Sequence, residues 1–352
     1  MDYKKELENI VNLILQESAS DLHITSGRKP VIRVAGQLIP LLKQPILSEQ
    51  DMKGLLNLLL SPANLALLET EKNVDFSYSM TNTRFRGNAY YHQGAISVAL
   101  RLIPKIIRTL TELGLPPILE SFTRKQQGFF LVVGPIGVGK STTLAAMVQL
   151  INDTRAEHIM TIEDPIEYLH ESNKSIIDQR EVRIDTPDFH TALTAMFRQD
   201  IDVCMVGEMR DINTIATAVT AAETGHLILS TLHTNNAAQT IDRIIDSFPP
   251  GQQDQIRIQL AGSLTGIFSQ RLVPRISGGL IPAYELLINN NAVSNLIRER
   301  RTHELNSVIE TSSEEGMIDM NRSLAELTRS GEITVESAYM HSFNPKVLEK
   351  MM

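Results

Sequence analysis

The sequence predicts a two-domain α/β protein: a small mixed α+β domain, then a larger one built on a parallel sheet covered by helices. Three observations carry that reading. A chain of 352 residues, at about 150 residues per domain, is two domains long. From Gln127 onward, apolar runs of strand length alternate with helical patterns, as in a sheet whose strands are joined by helical crossovers. Between the halves stands Gly114-Leu115-Pro116-Pro117, where a glycine and two prolines forbid a continuous helix. The expected division is therefore a domain over 1–112, a linker over 113–127 and a second domain over 128–352.

Composition narrows the function. The 33 Lys and Arg against 41 Asp and Glu leave a net charge of −8, the wrong sign for a protein that neutralises nucleic-acid phosphates. Residues 1–112 carry 13 basic and 11 acidic side chains, so the small domain is near +2 and the remainder near −10. The hydrophobic content of 42% with 21% charged residues is that of a globular chain rather than a disordered one. The one cysteine, Cys204, excludes an internal disulfide framework and a cysteine-based zinc ribbon. No run of 18 or more apolar residues is present, so no membrane span is expected. The apolar residues Leu7, Ile10, Val11, Ile14 and Leu15, interrupted by Glu6, Glu8 and Glu17, have the spacing of an amphipathic helix and not of a signal peptide. A cytoplasmic chain follows, with no direct membrane insertion.

In the first domain, that amphipathic helix precedes short strands over 21–25 and 31–34, separated by Ser26-Gly27-Arg28-Lys29-Pro30, a turn composition. A helix over 49–60 is stopped by Ser61-Pro62, and strands over 74–78, 83–91 and 95–101 follow. In the second domain, strands are expected over 129–133, 158–162, 203–206 and 227–231. Helices are expected over 140–152, 188–199, 212–223 and 237–246, with a mostly helical tail from Ala292 that includes 304–311 and 317–328.

The clearest chemistry lies at Gly134-Pro135-Ile136-Gly137-Val138-Gly139-Lys140-Ser141, followed by Thr142. It matches G-x-x-x-x-G-K-[ST] and stands directly after a strand and directly before a helix, as a phosphate-binding loop must. The glycines let successive N–H groups face a phosphate, and the helix adds its unpaired N-terminal N–H groups. Lys140 would meet the β- and γ-phosphates, and Ser141 would ligate Mg²⁺. Hydrolysis of bound ATP needs carboxylates as well. Val203-Cys204-Met205-Val206-Gly207-Glu208 is an apolar strand ending in an acid, and 158–162 ends in Glu163-Asp164. Taken singly, each acid also reads as a helix cap or a surface charge; their coincidence with the loop favours catalysis.

Segments 134–143 and 161–167, Gln179-Arg180-Glu181-Val182, Gly207-Glu208-Met209-Arg210-Asp211, and Ala222-Glu223-Thr224-Gly225-His226 through His233-Thr234 together resemble the secretion-ATPase superfamily. More narrowly, the chain is similar to the twitching-motility ATPases of the PilT/PilU type, which retract type IV pili. Ser20-Asp21-Leu22-His23 and Ser323-Leu324-Ala325-Glu326-Leu327 extend the likeness to both ends. The resemblance implies a PAS-like N-terminal domain, a RecA-like ATPase domain, a homohexameric ring, and docking on the inner-membrane platform protein of the pilus, with a paralogous retraction ATPase as a further partner. It also implies that Glu163 activates water, that Glu208 acts on Mg²⁺ through water, and that His226 and His233 sense the nucleotide. On residue chemistry alone these histidines read as ordinary strand-end residues, flanking an apolar strand beside the catalytic edge.

Arginines from the small domain of such proteins reach the phosphates, which assigns that role to Arg84 and Arg101; Arg86 reads as part of a solvated strand face. Gln93 stands where the family usually has arginine, Ile136 and Val138 replace hydroxyl residues, and Asp200-Ile201-Asp202 replaces Asp-Pro-Asp. Two alternatives stay open: a pilus-extension or type II secretion motor, usually marked by a tetracysteine zinc element, and a non-hydrolysing nucleotide-binding adaptor ring.

Overall fold

The computed structural model describes residues 2–17, 19–34, 36–80, 83–103 and 106–352; Pro104, at the end of the run that carries Arg101, lies outside them. The chain divides into two compact units, Met1–Ile106 with Pro165–Leu169, and Ile107–Asp164 with His170–Met352.

The smaller unit runs α1 (Tyr3–Gln16), β1 (Asp21–Thr25), β2 (Val31–Val34), β3 (Gln37–Pro40), α2 (Glu49–Leu59), α3 (Pro62–Glu71), β4 (Asn73–Met80), β5 (Thr83–His92) and β6 (Ala95–Ile103). Its antiparallel sheet has the order β3-β2-β1-β6-β5-β4. Leu7, Ile10, Val11 and Ile14 of α1 and Met52, Leu55 and Leu56 of α2 form one core with Leu22, Ile32, Phe85 and Leu100 of the strands. The sequence conceals two of these elements. All four residues of β3 are exposed, so no alternation marks it. Ser61-Pro62 follows the end of α2, as expected, and Pro62 also opens α3: the Ser61 hydroxyl accepts from Asn64 N, and proline suits the first turn, where its missing N–H costs nothing.

The larger unit continues with α4 (Leu119–Thr123), β7 (Gly128–Val133), α5 (Lys140–Thr154), β8 (His158–Glu163), β9 (Ile176–Glu181), α6 (Phe189–Met196), β10 (Val203–Val206), α7 (Ile212–Glu223), β11 (Leu227–Leu232), α8 (Ala237–Asp246), α9 (Pro250–Ser263), β12 (Leu264–Pro274) and β13 (Leu280–Ile288). A helical tail follows: α10 (Asn291–Arg298), α11 (Leu305–Thr311), α12 (Met320–Arg329), α13 (Val335–His341) and α14 (Pro345–Met351). The sheet order is β13-β12-β7-β11-β10-β8-β9, with β13 alone antiparallel to its neighbour. Every residue of β7 is buried. Phe129, Leu131 and Val133 enter one core with residues of α6, α7 and α9, while Phe130 and Val132 enter the other with residues of α4 and α5. The division between units falls at Ile106, ahead of the Gly114-Leu115-Pro116-Pro117 segment, because Leu110, Leu115, Leu119 and Phe122 belong to that second core. Helix starts follow their caps: α6 begins after Asp188, which accepts from Thr191 N, and α12 after Asp319, which accepts from Arg322 N, three residues later than the apolar pattern suggests.

Candidate functional site

Parallel pairing aligns the C-terminal ends of four strands. Leu232 is opposite Val133, and Val206 is opposite both Ser230 and Ile162. The residues that leave this edge are the loop from Gly134, His233, Gly207-Glu208 and Glu163. Catalytic groups gather at such an edge because each strand delivers one side chain to the same crevice. Two hydroxyls fix the strand ends: Ser230 Oγ donates to Val206 O at 2.7 Å and Thr231 Oγ1 to Gly207 O at 2.6 Å.

The loop curls between β7 and α5. Gly134, Gly137 and Gly139 all have positive φ, at 148°, 82° and 86°. Ile136 is 87% exposed while Val138 is buried, so the isoleucine is presented outward and the valine packs beneath the loop. Lys140 is buried, and its Nζ donates to Gly134 O at 2.8 Å, to Pro135 O at 2.9 Å and to His233 Nδ1 at 3.2 Å. His233 Nε2 lies 3.8 Å from Glu208, which also pairs with the Arg210 guanidinium. Burial and the Lys140 ammonium hold the His233 ring below the ordinary histidine range, with Glu208 opposing them. A neutral ring with its proton on Nε2 can accept from Lys140 and face Glu208 at once.

Glu163 is 7% exposed. Its Oε1 accepts from Thr161 Oγ1 at 2.6 Å and from Gln179 Nε2 at 3.2 Å. Beneath the loop lies Gln270 of β12, whose Nε2 donates to Val138 O at 2.7 Å and whose Oε1 accepts from Thr143 Oγ1 at 2.8 Å. Gln270, Gly139, Thr142 and Thr143 line a cavity of about 500 Å³ that continues past Leu115, Leu272 and Leu280. That volume suits a small organic ligand, and an apolar wall beside the phosphate loop suits a base.

His226 and His233 flank β11, as the sequence suggests, but from its opposite ends. His226 precedes β11, and its backbone O accepts from Gly128 N at the start of β7, so it stands at the opposite end of the sheet, a strand length of about 20 Å from His233. Its ring bonds Ala221 O and meets Phe197 edge-on. In the smaller unit, Arg86 is opposite Arg101 and Arg101 is opposite Asp21. Arg84, two residues from Arg86 on β5, therefore shares one sheet face with both. Arg101 Nε donates to Asp21 at 2.9 Å, and Arg86, exposed as expected, has its Nη1 3.6 Å from Glu167, so this face carries two ion pairs. Gln93, with Gly94, makes a two-residue turn at positive φ between β5 and β6. The sequence shows Gln179 and Arg210 only inside longer motifs, with no role of their own, and does not single out Gln270 at all; an uncharged amide carries no motif, and Arg210 is visible only as the second residue after a strand-end acid.

A family model for type II/IV secretion system proteins matches residues 3–307. A twitching motility protein of Neisseria gonorrhoeae is 43% identical over 317 residues, spanning 90% of this chain and 84% of that protein. The type IV pilus retraction ATPase PilT of Pseudomonas aeruginosa is 40% identical over 334 residues, spanning 95% and 97%. A crystal structure of the pilus retraction motor PilT with bound ADP has a TM-score of 0.91 at 45% identity, covering 97% of this chain and 98% of that one.

Proposed function

The chain belongs to the type II/IV secretion system protein family, and from that premise we propose that it is a hexameric ATPase motor that drives type IV pilus retraction. Its fold is the family's, an N-terminal domain ahead of a RecA-like ATPase domain. The observation that carries the reading is the alignment at one sheet edge of a phosphate loop, a buried lysine and two strand-end carboxylates. Retraction is favoured over extension by 40% identity to a retraction ATPase along nearly the whole of both chains.

ATP is the substrate. The N–H groups of residues 136–142 are suited to its phosphates, and the cavity beyond Thr142 and Thr143 to its base. Lys140, held by two neutral carbonyls, would exchange them for phosphate oxygens, which are charged acceptors and stronger ones. Glu163, pinned by Thr161 and Gln179, is the group suited to orient and deprotonate the attacking water. Ser141 and Glu208 offer only oxygen, and only two donors, which fits Mg²⁺ that keeps waters and shares phosphate oxygens. When bound, the ion would neutralise charge on the phosphates. His233 touches both Lys140 and Glu208, so a change at either reaches the other. Arg84 and Arg101 would add positive charge to the transferring phosphoryl group; His226 has its support in the resemblance and none in its position.

No helix among the described residues is long and apolar enough to cross a membrane. We place the ring at the cytoplasmic face of the inner membrane, docked on the pilus platform protein and working beside a paralogous retraction ATPase. Lys140→Ala should lower steady-state ATP hydrolysis by about 10²-fold or more, and Glu208→Gln similarly; hydrolysis at the unmodified rate in both would remove this site from the reaction, and no hydrolysis by the unmodified protein would leave an adaptor ring. Deleting the gene and imaging the pili separates the motors: long static pili mean retraction, and loss of pili means extension.

A further inference from the structure

Glu163 is not positioned by its own strand alone. Gln179 lies directly opposite Thr161 in the pairing of β8 with β9, so both side chains reach the same carboxylate oxygen, at 3.2 and 2.6 Å. The other end of the Gln179 amide is committed, because Oε1 accepts from the backbone N–H of His170 at 2.8 Å. An acceptor engaged in that way settles which end of the amide is which: the NH₂ group must face Glu163. His170 is tied down in turn, its Nδ1 lying 3.1 Å from Gln149 Oε1. The Gln149 amide is oriented by the same logic, since its Nε2 donates to Asp153 Oδ1 at 2.9 Å. Its carbonyl end then faces the ring, and His170 Nδ1–H is the donor.

The hydrogen bonds form one connected chain whose donors point outward from His170, where the backbone re-enters the larger unit: its N–H through Gln179 on β9 to Glu163 at the end of β8, and its ring through Gln149 to Asp153 on α5. The helix at one end of this chain is the helix that begins with Lys140 and Ser141, and Gln149 sits about 14 Å along it from Lys140. We propose that Gln179 is a positioning residue that aims the Glu163 carboxylate and, through His170 and Gln149, registers it to the phosphate-loop helix. The proposal rests on the role given to Glu163 above. A rival description makes Gln179 a structural amide that serves only to satisfy the buried N–H of His170.

Two substitutions separate these descriptions. Gln179→Glu retains an acceptor for His170 N but replaces the donor to Glu163 with a second carboxylate; Gln179→Leu removes both bonds at similar volume. Single-turnover hydrolysis, the steady-state KM for ATP, ADP affinity and thermal melting are measured on the full-length chain. As a positioning residue, Gln179 gives a fall in the hydrolysis rate of about tenfold or more in both variants, with KM and ADP affinity within about twofold of the unmodified protein. Gln179→Leu placed in a Glu163→Gln background then adds nothing, since the carboxylate it aims is already gone. Unmodified hydrolysis by Gln179→Glu while Glu163→Gln is inactive overturns the positioning role and leaves the base intact. Losses in rate that merely follow a lowered melting temperature also overturn it. Active Glu163→Gln would remove the base assignment, and the proposal with it.

Discussion

Burial gives His170 a titration far from its ordinary one. Desolvation lowers its pKa from 6.5 to about 4, with Asp153 opposing, so the ring is neutral in the fold where the unfolded chain would already hold a proton. Stability from this residue is complete above pH 6.5 and drains away as the pH falls toward 4; at pH 5 about 2 kcal/mol is gone. Urea denaturation at pH 7.5 and pH 5 should show that His170→Gln loses less stability between the two than the unmodified protein, by roughly that amount. An equal loss in both proteins would mean that the ring is solvated. The same residue illustrates what a sequence conceals. Lys140 and Ser141 are legible because a fixed spacing of glycines carries their chemistry. Gln149, His170 and Gln179 lie far apart in the chain and become one set of hydrogen bonds only when β9 pairs with β8.

Elements were legible where hydrophobic period and punctuation agree. The helices over 212–223 and 237–246 coincide with α7 and α8, and the four central strands follow from short apolar runs bounded by turns. β12 and β13 escaped because a long antiparallel hairpin, mostly buried on both faces, lacks alternation. His226 and His233 are near in sequence yet a strand length apart in space, because they stand at the two ends of β11. At the junction of β7 and α5 two glycines are constrained differently. A Cβ on Gly134 would meet Gln270 O at 2.6 Å and Val138 Cγ2 at 2.8 Å, whereas a Cβ on Gly137 has nothing within 4 Å. Gly137→Ala should therefore cost only its left-handed backbone, about 1 kcal/mol. Gly134→Ala must also part the loop from β12 and should cost about 3 kcal/mol or more. Denaturation of the nucleotide-free variants measures both, and equal losses would show that the Gln270 contact gives way without cost.

Over the whole molecule, charge and core are partitioned together. Residues 1–112 are near +2 while the remainder is near −10, and the apolar clusters of the two units share no residues. A unit with its own core folds without the other. The fragment 107–352 should therefore melt cooperatively and bind ADP, since residues 134–142 and the cavity beside them lie within it. Its ATP hydrolysis should nevertheless fall by about 10³-fold, because Arg84 and Arg101 are missing and guanidinium groups supply factors of that order to phosphoryl transfer. Loss of ring assembly would produce the same deficit, so the intact chain carrying Arg84→Ala and Arg101→Ala is the decisive comparison. If that variant still assembles by light scattering, binds ADP normally and hydrolyses as slowly as the fragment, the smaller unit acts through its arginines. If it hydrolyses at the unmodified rate, the basic sheet face has no part in the chemistry, and the smaller unit serves assembly alone.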